Sequence, residues 1–164
     1  MPMHAILDFS APDPRPWTLV NDDVMGGRST SRVRRTEQGT LRFSGHLSLA
    51  NSGGFASTRT PLDSLDLASF QGVALRIRGD GRRYQLRLWM ASRDRIAYGA
   101  ELHTIAGAWT EVRVPFTAFQ PTFRGRRPAD APALDPGALG RLGFLIADRR
   151  EGPFELEVAW VRAY

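Results

Sequence analysis

Cysteine is absent from the 164 residues. The chain therefore forms no disulfide, carries no thiolate nucleophile and offers no cysteine ligand to a metal. Lysine is absent too, so all 22 basic residues are arginines, set against 17 acids for a net charge of +5. Histidine is scarce: His4, His46 and His103 are the full set, and no two have the spacing of an HExxH metal pair. No apolar stretch approaches the roughly 18 residues that a membrane-spanning helix needs. The start, Met1-Pro2-Met3-His4, lacks a basic segment followed by an apolar core, so no secretory signal is read and an intracellular place is expected.

The arginines cannot be deprotonated near neutrality, yet they are dispersed. Clusters at Arg32/Arg34/Arg35, Arg82/Arg83, Arg124/Arg126/Arg127 and Arg149/Arg150 are separated by acids. A nucleic-acid binder gathers its charge on one face or helix, so a solvated arginine-rich surface is expected and no nucleic-acid partner. The length suits one domain over residues 1–164. With 42% hydrophobic and 24% charged residues, the composition is that of a globular protein.

Strand signals dominate. Sixteen glycines and 11 prolines punctuate short runs of period-two alternation, the pattern of an all-β sandwich. Val73, Leu75 and Ile77 alternate with Ala74, Arg76 and Arg78; the turn Gly79-Asp80-Gly81 follows; then Tyr84, Leu86, Leu88 and Met90 alternate with Gln85, Arg87 and Trp89. The two runs read as a hairpin. Val112–Val114 and Phe154–Trp160 alternate likewise, and further strands are expected over Ala5–Ser10, Thr18–Val20, Ser31–Arg35, Thr40–Phe43, His46–Leu49, Phe55–Thr60, Ile96–His103 and Leu142–Ala147. Short helical turns are expected at Leu62–Leu67, Pro115–Phe119 and Asp135–Gly140, and one long surface loop at Pro121–Pro136. So many strands cannot hide both faces under helices, which implies two antiparallel sheets packed as a jelly-roll sandwich.

Two loops stand out. In Asn21-Asp22-Asp23-Val24-Met25-Gly26-Gly27-Arg28 the polar side chains either bind a hydroxylated ligand or hard cation through oxygen, or cap a turn. Asn51-Ser52-Gly53-Gly54-Phe55 supplies the positive φ a turn needs. The polar side of the central strands collects Arg76, Arg78, Gln85, Arg87 and Trp89. A tryptophan among hydrogen-bonding groups suits a sugar, a peptide or a partner protein; the other reading is a face covered by the chain's own loop Pro121–Pro136. Tyr98 would join it if its strand ran in the opposite register. Catalysis finds little to stand on: there is no Gly-x-Ser-x-Gly elbow, P-loop or dinucleotide fingerprint. Asp22, Asp23, Asp80, Glu101 and Asp148 are acid–base candidates only by type.

The runs WTLVNDDVMGGRSTS (Trp17–Ser31), GTLRFSGHLSLANSGGFASTR (Gly39–Arg59), GVALRIRGDGRRYQLRL (Gly72–Leu88), WTEVRVPFTAFQPTFRGR (Trp109–Arg126) and GFLIADRREGPFELEVAWVRAY (Gly143–Tyr164) together resemble the complex I intermediate-associated protein family. The resemblance covers nearly the whole chain. It implies a galactose-binding-domain-like β-sandwich, a short stand-alone domain of the bacterial type, and a chaperone-like, non-enzymatic protein with no cofactor and no metal. Its implied partners are protein subunits of respiratory complex I. The expected location is cytoplasmic, peripheral at the inner face of the membrane. A sugar or other small ligand is the alternative partner. The residues expected to hold the partner are Asn21, Asp22, Arg28, Asn51, Phe55, Arg76, Gln85, Arg87 and Trp89.

Overall fold

The computed structural model describes residues 3–123 and 126–164. Met1 and Pro2 at the start, and Arg124 and Gly125 in the expected Pro121–Pro136 loop, lie outside the described residues. The strands are β1 (His4–Asp8), β2 (Thr18–Asn21), β3 (Thr30–Arg35), β4 (Leu41–Leu47), β5 (Ala56–Leu65), β6 (Gly72–Arg78), β7 (Arg83–Met90), β8 (Arg93–His103), β9 (Trp109–Pro115), β10 (Gln120–Thr122), β11 (Leu139–Ile146) and β12 (Gly152–Ala163). One sheet has the order β3–β4–β12–β6–β9, with β1 paired to the second half of β12. The second has the order β10–β8–β7–β11–β5–β2. Neighbouring strands are antiparallel throughout both sheets. The all-β sandwich expected from the alternation is the observed fold.

The alternation assigns most inner faces correctly; the exception is the end of β12, where a register shift after Val158 leaves Trp160 half-buried and turns Val161 and Ala163 into the core. Val73, Leu75 and Ile77 from the first sheet, and Tyr84, Leu86 and Leu88 from the second, have no exposed surface. Phe43 meets Phe154 edge-on at 5.1 Å between ring centres, and Trp17 stacks on Phe144 at 6.2 Å. Burying such side chains stabilises the fold by about 1.5–3 kcal/mol each before entropy is counted.

Neighbour relations depart from expectation. The runs 73–78 and 84–90 do not form a hairpin: β6 pairs with β9 and β12, whereas β7 pairs with β8 and β11. Gly79–Arg82 is an arch from one sheet to the other. Asp80 shapes it, accepting hydrogen bonds from the Arg82 N–H at 3.0 Å, the Tyr84 hydroxyl at 3.0 Å and the Glu155 N–H at 2.8 Å. Period two says which side chains face the core and is silent on which strand lies alongside. The hairpin is instead β7–β8, closing between Met90 and Arg93.

Other differences have similar causes. Thr40–Phe43 and His46–Leu49 belong to one strand, β4, because Gly45 does not break it. That glycine permits close approach, since a Cβ there would lie 2.0 Å from the Thr30 carbonyl oxygen. Part of the expected helical turn at Leu62–Leu67 is the end of β5, held by β11. No helix forms at Asp135–Gly140, where β11 begins. The short helix near Pro115–Phe119 is a 3-10 turn over Phe116–Ala118. The expected Pro121–Pro136 loop begins inside β10, the edge strand beside β8.

Two buried ionic groups fasten the sandwich. Arg82 holds Asp148 through two bonds, Nε to Oδ2 at 3.0 Å and Nη2 to Oδ1 at 2.7 Å. Its remaining donors reach the carbonyls of Arg150, Gly152 and Pro153. Glu157 accepts from Thr40, Arg42 and Arg78. Among the described residues no helix is long and apolar enough to cross a membrane.

Candidate functional site

The expected site residues fall into three separate places. The first is a loop knot built on Asp22. β2 ends at Asn21, a 3-10 turn spans Asp22–Met25, and Gly26 closes it at φ 86°. The Asp22 side chain is fully buried. Its Oδ1 accepts the Ser29 N–H at 2.9 Å; Oδ2 accepts the Ser29 hydroxyl at 2.6 Å, the Gly54 N–H at 2.7 Å and the Phe55 N–H at 3.4 Å. Burial pushes the carboxyl up, but these donors more than reverse it and hold Asp22 below the usual carboxylate range.

The glycines around Asp22 leave room for its carboxylate. A Cβ at Gly27 would stand 2.4 Å from its Cγ, and one at Gly53 would stand 2.5 Å from Oδ2. Asn51, at φ 56°, donates from its side-chain amide to the Gly26 carbonyl at 3.1 Å. Asn21 accepts from the Ser31 hydroxyl at 2.8 Å. The Phe55 carbonyl accepts the Asp22 backbone N–H at 3.1 Å, and the Phe55 N–H donates to the Asp22 carboxylate. The loop residues expected to touch a ligand thus tie two loops together, and the turn-capping reading describes Asp22. Arg28 is exposed beside the knot. Val24 and Met25 project from its tip at 71% and 63% exposure.

The second place is the outer side of the first sheet. Arg76 and Arg78 lie there with their guanidiniums 5.6 and 5.1 Å from the centre of the Trp109 ring. This corrects the expectation of one shared face: Arg76 is on the opposite side of the sandwich from Gln85, Arg87 and Trp89, because the 79–82 arch changes sheets. On the same side an open groove of about 730 Å³ mixes Arg32 and His46 with Glu155.

The third place is the outer side of the second sheet, where Gln85, Arg87 and Trp89 project from β7. Trp89 is not an open platform; it is 4% exposed. Tyr98 does not join it, being fully buried with its hydroxyl bonded to the Pro132 carbonyl at 2.7 Å. Two arginines that sequence reasoning missed lie over the Trp89 ring. Arg59 of β5 lies 4.8 Å and Arg141 of β11 lies 5.5 Å from the ring centre. The pairing Arg59–Gly143–Arg87 across β5, β11 and β7 explains the arrangement. Gly143 leaves the space into which the Trp89 ring folds, for a Cβ there would be 3.2 Å from Cζ3.

This face is electrostatically unbalanced. Arg87 donates from Nε to the Gln85 amide oxygen at 3.2 Å. Among the described residues no carboxylate forms an ion pair with Arg59, Arg87 or Arg141. The Arg59 Nε is buried without a hydrogen-bond partner. Burial, and then repulsion by Arg59, pulls Arg87 down to about 10. Burial and then Arg141 lower Arg59 in the same way.

Of the acids considered for catalysis, Asp22, Asp80 and Asp148 are committed to hydrogen bonds within the fold, Glu101 is exposed beside Arg83 and His103, and Asp23 is exposed. Among the described residues no group of three or more His, Asp or Glu is placed to hold a metal ion.

A family model described as complex I intermediate-associated protein 30 matches residues 7–158. The mitochondrial complex I intermediate-associated protein 30 of Drosophila melanogaster is 26% identical over 180 residues, covering 95% of this chain and 61% of that protein. Its namesake in Mus musculus is 27% identical over 172 residues, covering 90% and 52%. The chain therefore spans half to three-fifths of the length of these relatives. They are eukaryotic and lend no support to the expected bacterial type. Among solved structures, a family 11 carbohydrate-binding module of a Clostridium thermocellum cellulosomal cellulase superposes with a TM-score of 0.72 at 14% identity, covering 99% of this chain and 94% of that one. A family 30 module from the same organism gives 0.64 at 16%, covering 100% and 98%. At that identity the likeness is one of fold, a galactose-binding-like β-sandwich.

Proposed function

The chain belongs to the complex I intermediate-associated protein 30 family, and we propose that it is a non-enzymatic, chaperone-like module that holds a protein partner during assembly of respiratory complex I. The observation that carries this reading is the extent of the family match. Residues 7–158 take in all of β2 to β11 and parts of β1 and β12, so the unit shared with the assembly proteins is the sandwich itself. On this reading residues 1–164 work as one domain, peripheral to the membrane that carries the respiratory complex.

The outer side of the second sheet is the proposed contact. Gln85 and Arg87 sit over a fixed strand framework there, and a rigid face binds without a large ordering cost. A sugar-binding reading of the same side is less well supported, because the ring that would stack on a sugar is covered by Arg59 and Arg141.

The test is a crosslinking pull-down from lysed source cells, membranes included. Enrichment of respiratory complex I subunits by the wild-type chain is the expected result. Enrichment of no protein at all would overturn the assembly reading, and a glycan-array screen would then decide for or against the sugar alternative.

A further inference from the structure

Most half-buried or buried arginines elsewhere in the sandwich have a counter-charge or an aromatic neighbour in the open. Arg82 grips Asp148, and Arg42 and Arg78 share Glu157. The second sheet breaks this pattern. Arg59, Arg87 and Arg141 gather on β5, β7 and β11. The Arg59 Nε is buried without a hydrogen-bond partner, as the Arg42 Nε of the first sheet is, but Arg42 has the Glu155 carboxylate 3.6 Å away and Arg59 has no carboxylate in an ion pair among the described residues. Burying like charges together costs free energy, and a buried donor without a partner costs more. The arrangement makes sense when an anion completes it.

We propose that Arg59, Arg87 and Arg141 form a receptor for the carboxylates of an acidic protein segment; this rests on the reading that the second sheet's outer side holds a protein partner. Guanidiniums offer forked donors that match carboxylate oxygens two at a time. Arg59 and Arg87 stand on strands separated only by β11, so their backbones are about 10 Å apart. The guanidiniums have different anchors, Arg59 and Arg141 lying over Trp89 and Arg87 bonded to Gln85. That arrangement suits acidic residues repeating along an extended segment, whose alternate side chains recur on one side every 6–7 Å or so, better than it suits one tetrahedral anion. Gly99 on β8 and Gly143 on β11 flank Arg87 and add no side chain between the arginines and solvent.

The experiment titrates an extended peptide with glutamate at alternate positions, its all-glutamine counterpart, and inorganic phosphate into the full chain. Binding is read from the arginine Nε–H resonances and by calorimetry. The glutamate peptide is expected to bind, to move the Arg59 and Arg87 Nε–H signals, and to weaken as salt is raised. Arg59→Gln and Arg87→Gln should each weaken it about tenfold, the size of one lost charge-assisted bond. Arg34→Gln, which removes an exposed arginine from the first sheet, should leave it unchanged.

Equal binding of the glutamine peptide overturns the proposal. So does equal weakening by Arg34→Gln, or a response to phosphate alone. The wild-type resonance shifts do not depend on any variant folding. The two readings also fail separately. Respiratory subunits still captured by an Arg59→Gln/Arg87→Gln chain would sink the acidic receptor and leave the assembly role. Glutamate-peptide binding with no partner in the pull-down would do the reverse.

Discussion

The Asp22 carboxylate accepts the Gly54 backbone N–H at 2.7 Å, joining the loop after β2 to the loop before β5. With Ser29 as a third party, this contact turns two polar, glycine-rich segments into one buried knot. Asn21, Asp22 and Asn51, which look like a ligand set by type, hydrogen-bond within the chain here.

Replacing Asp22 by Ala should be among the most damaging single changes. It strands the buried donors of Ser29 and Gly54, each costing about 1–3 kcal/mol when unpaired, so a loss of roughly 3 kcal/mol is expected. The denaturant midpoint should fall at constant m value. A midpoint within error of wild type would show that the knot contributes nothing to stability.

Gly53→Ala should destabilise for the complementary reason: its Cβ would press on the same carboxylate from 2.5 Å. A loss of about 1–3 kcal/mol is expected for overpacking. The double variant Gly53→Ala/Asp22→Ala should lose less than the sum of the two, and strict additivity would refute the steric account.

Acid should loosen the fold through three carboxylates. Asp22, Asp148 and Glu157 are each pushed up by burial and pulled down further by their hydrogen-bond donors, with a net lowering. A folded-state value below the unfolded one gives stability that is fully present above the unfolded value, about pH 4. That stability is lost as pH falls through the folded value. The unfolding temperature should hold from neutrality to about pH 5 and drop steeply below about pH 4. In Asp22→Asn the drop should be shallower; an identical acid limb would remove Asp22 from the cause.

Removing one side of the Arg82–Asp148 pair should cost about 3–5 kcal/mol, because the survivor is a buried charge without its partner. Arg82→Lys should rescue little, since an ammonium cannot repeat the forked contact. Thermal unfolding of Arg82→Met, Asp148→Asn and the double variant measures this; the double should be no worse than the worse single.

Trp89→Ala should destabilise by about 3–5 kcal/mol by opening a cavity, since the ring is 4% exposed. Partner capture lost in that variant would therefore report unfolding as readily as a broken contact. Unfolding curves for Trp89→Ala beside Arg87→Gln check the distinction, with Arg87→Gln expected to stay close to wild type. A stable Trp89→Ala protein would mean the ring is not structural.

Sequence alone determined the strand content, most of the inner faces and the class of fold. Leu75, Ile77, Leu86 and Leu88 announce their burial through their own neighbours, because alternation along a strand is a local property. The polar character of the Asn21–Arg28 and Asn51–Phe55 loops was equally plain, though their joining through one carboxylate was not. Only the tertiary structure decided which strands lie side by side. Backbone hydrogen bonds pair any strand with any other, so alternation cannot tell a hairpin from an arch. That decision separated Arg76 from Arg87 and sent it to the opposite side. The same decision brought Arg59 and Arg141 from distant segments over Trp89, on the side that carries Arg87. The arginine cluster is a product of strand order.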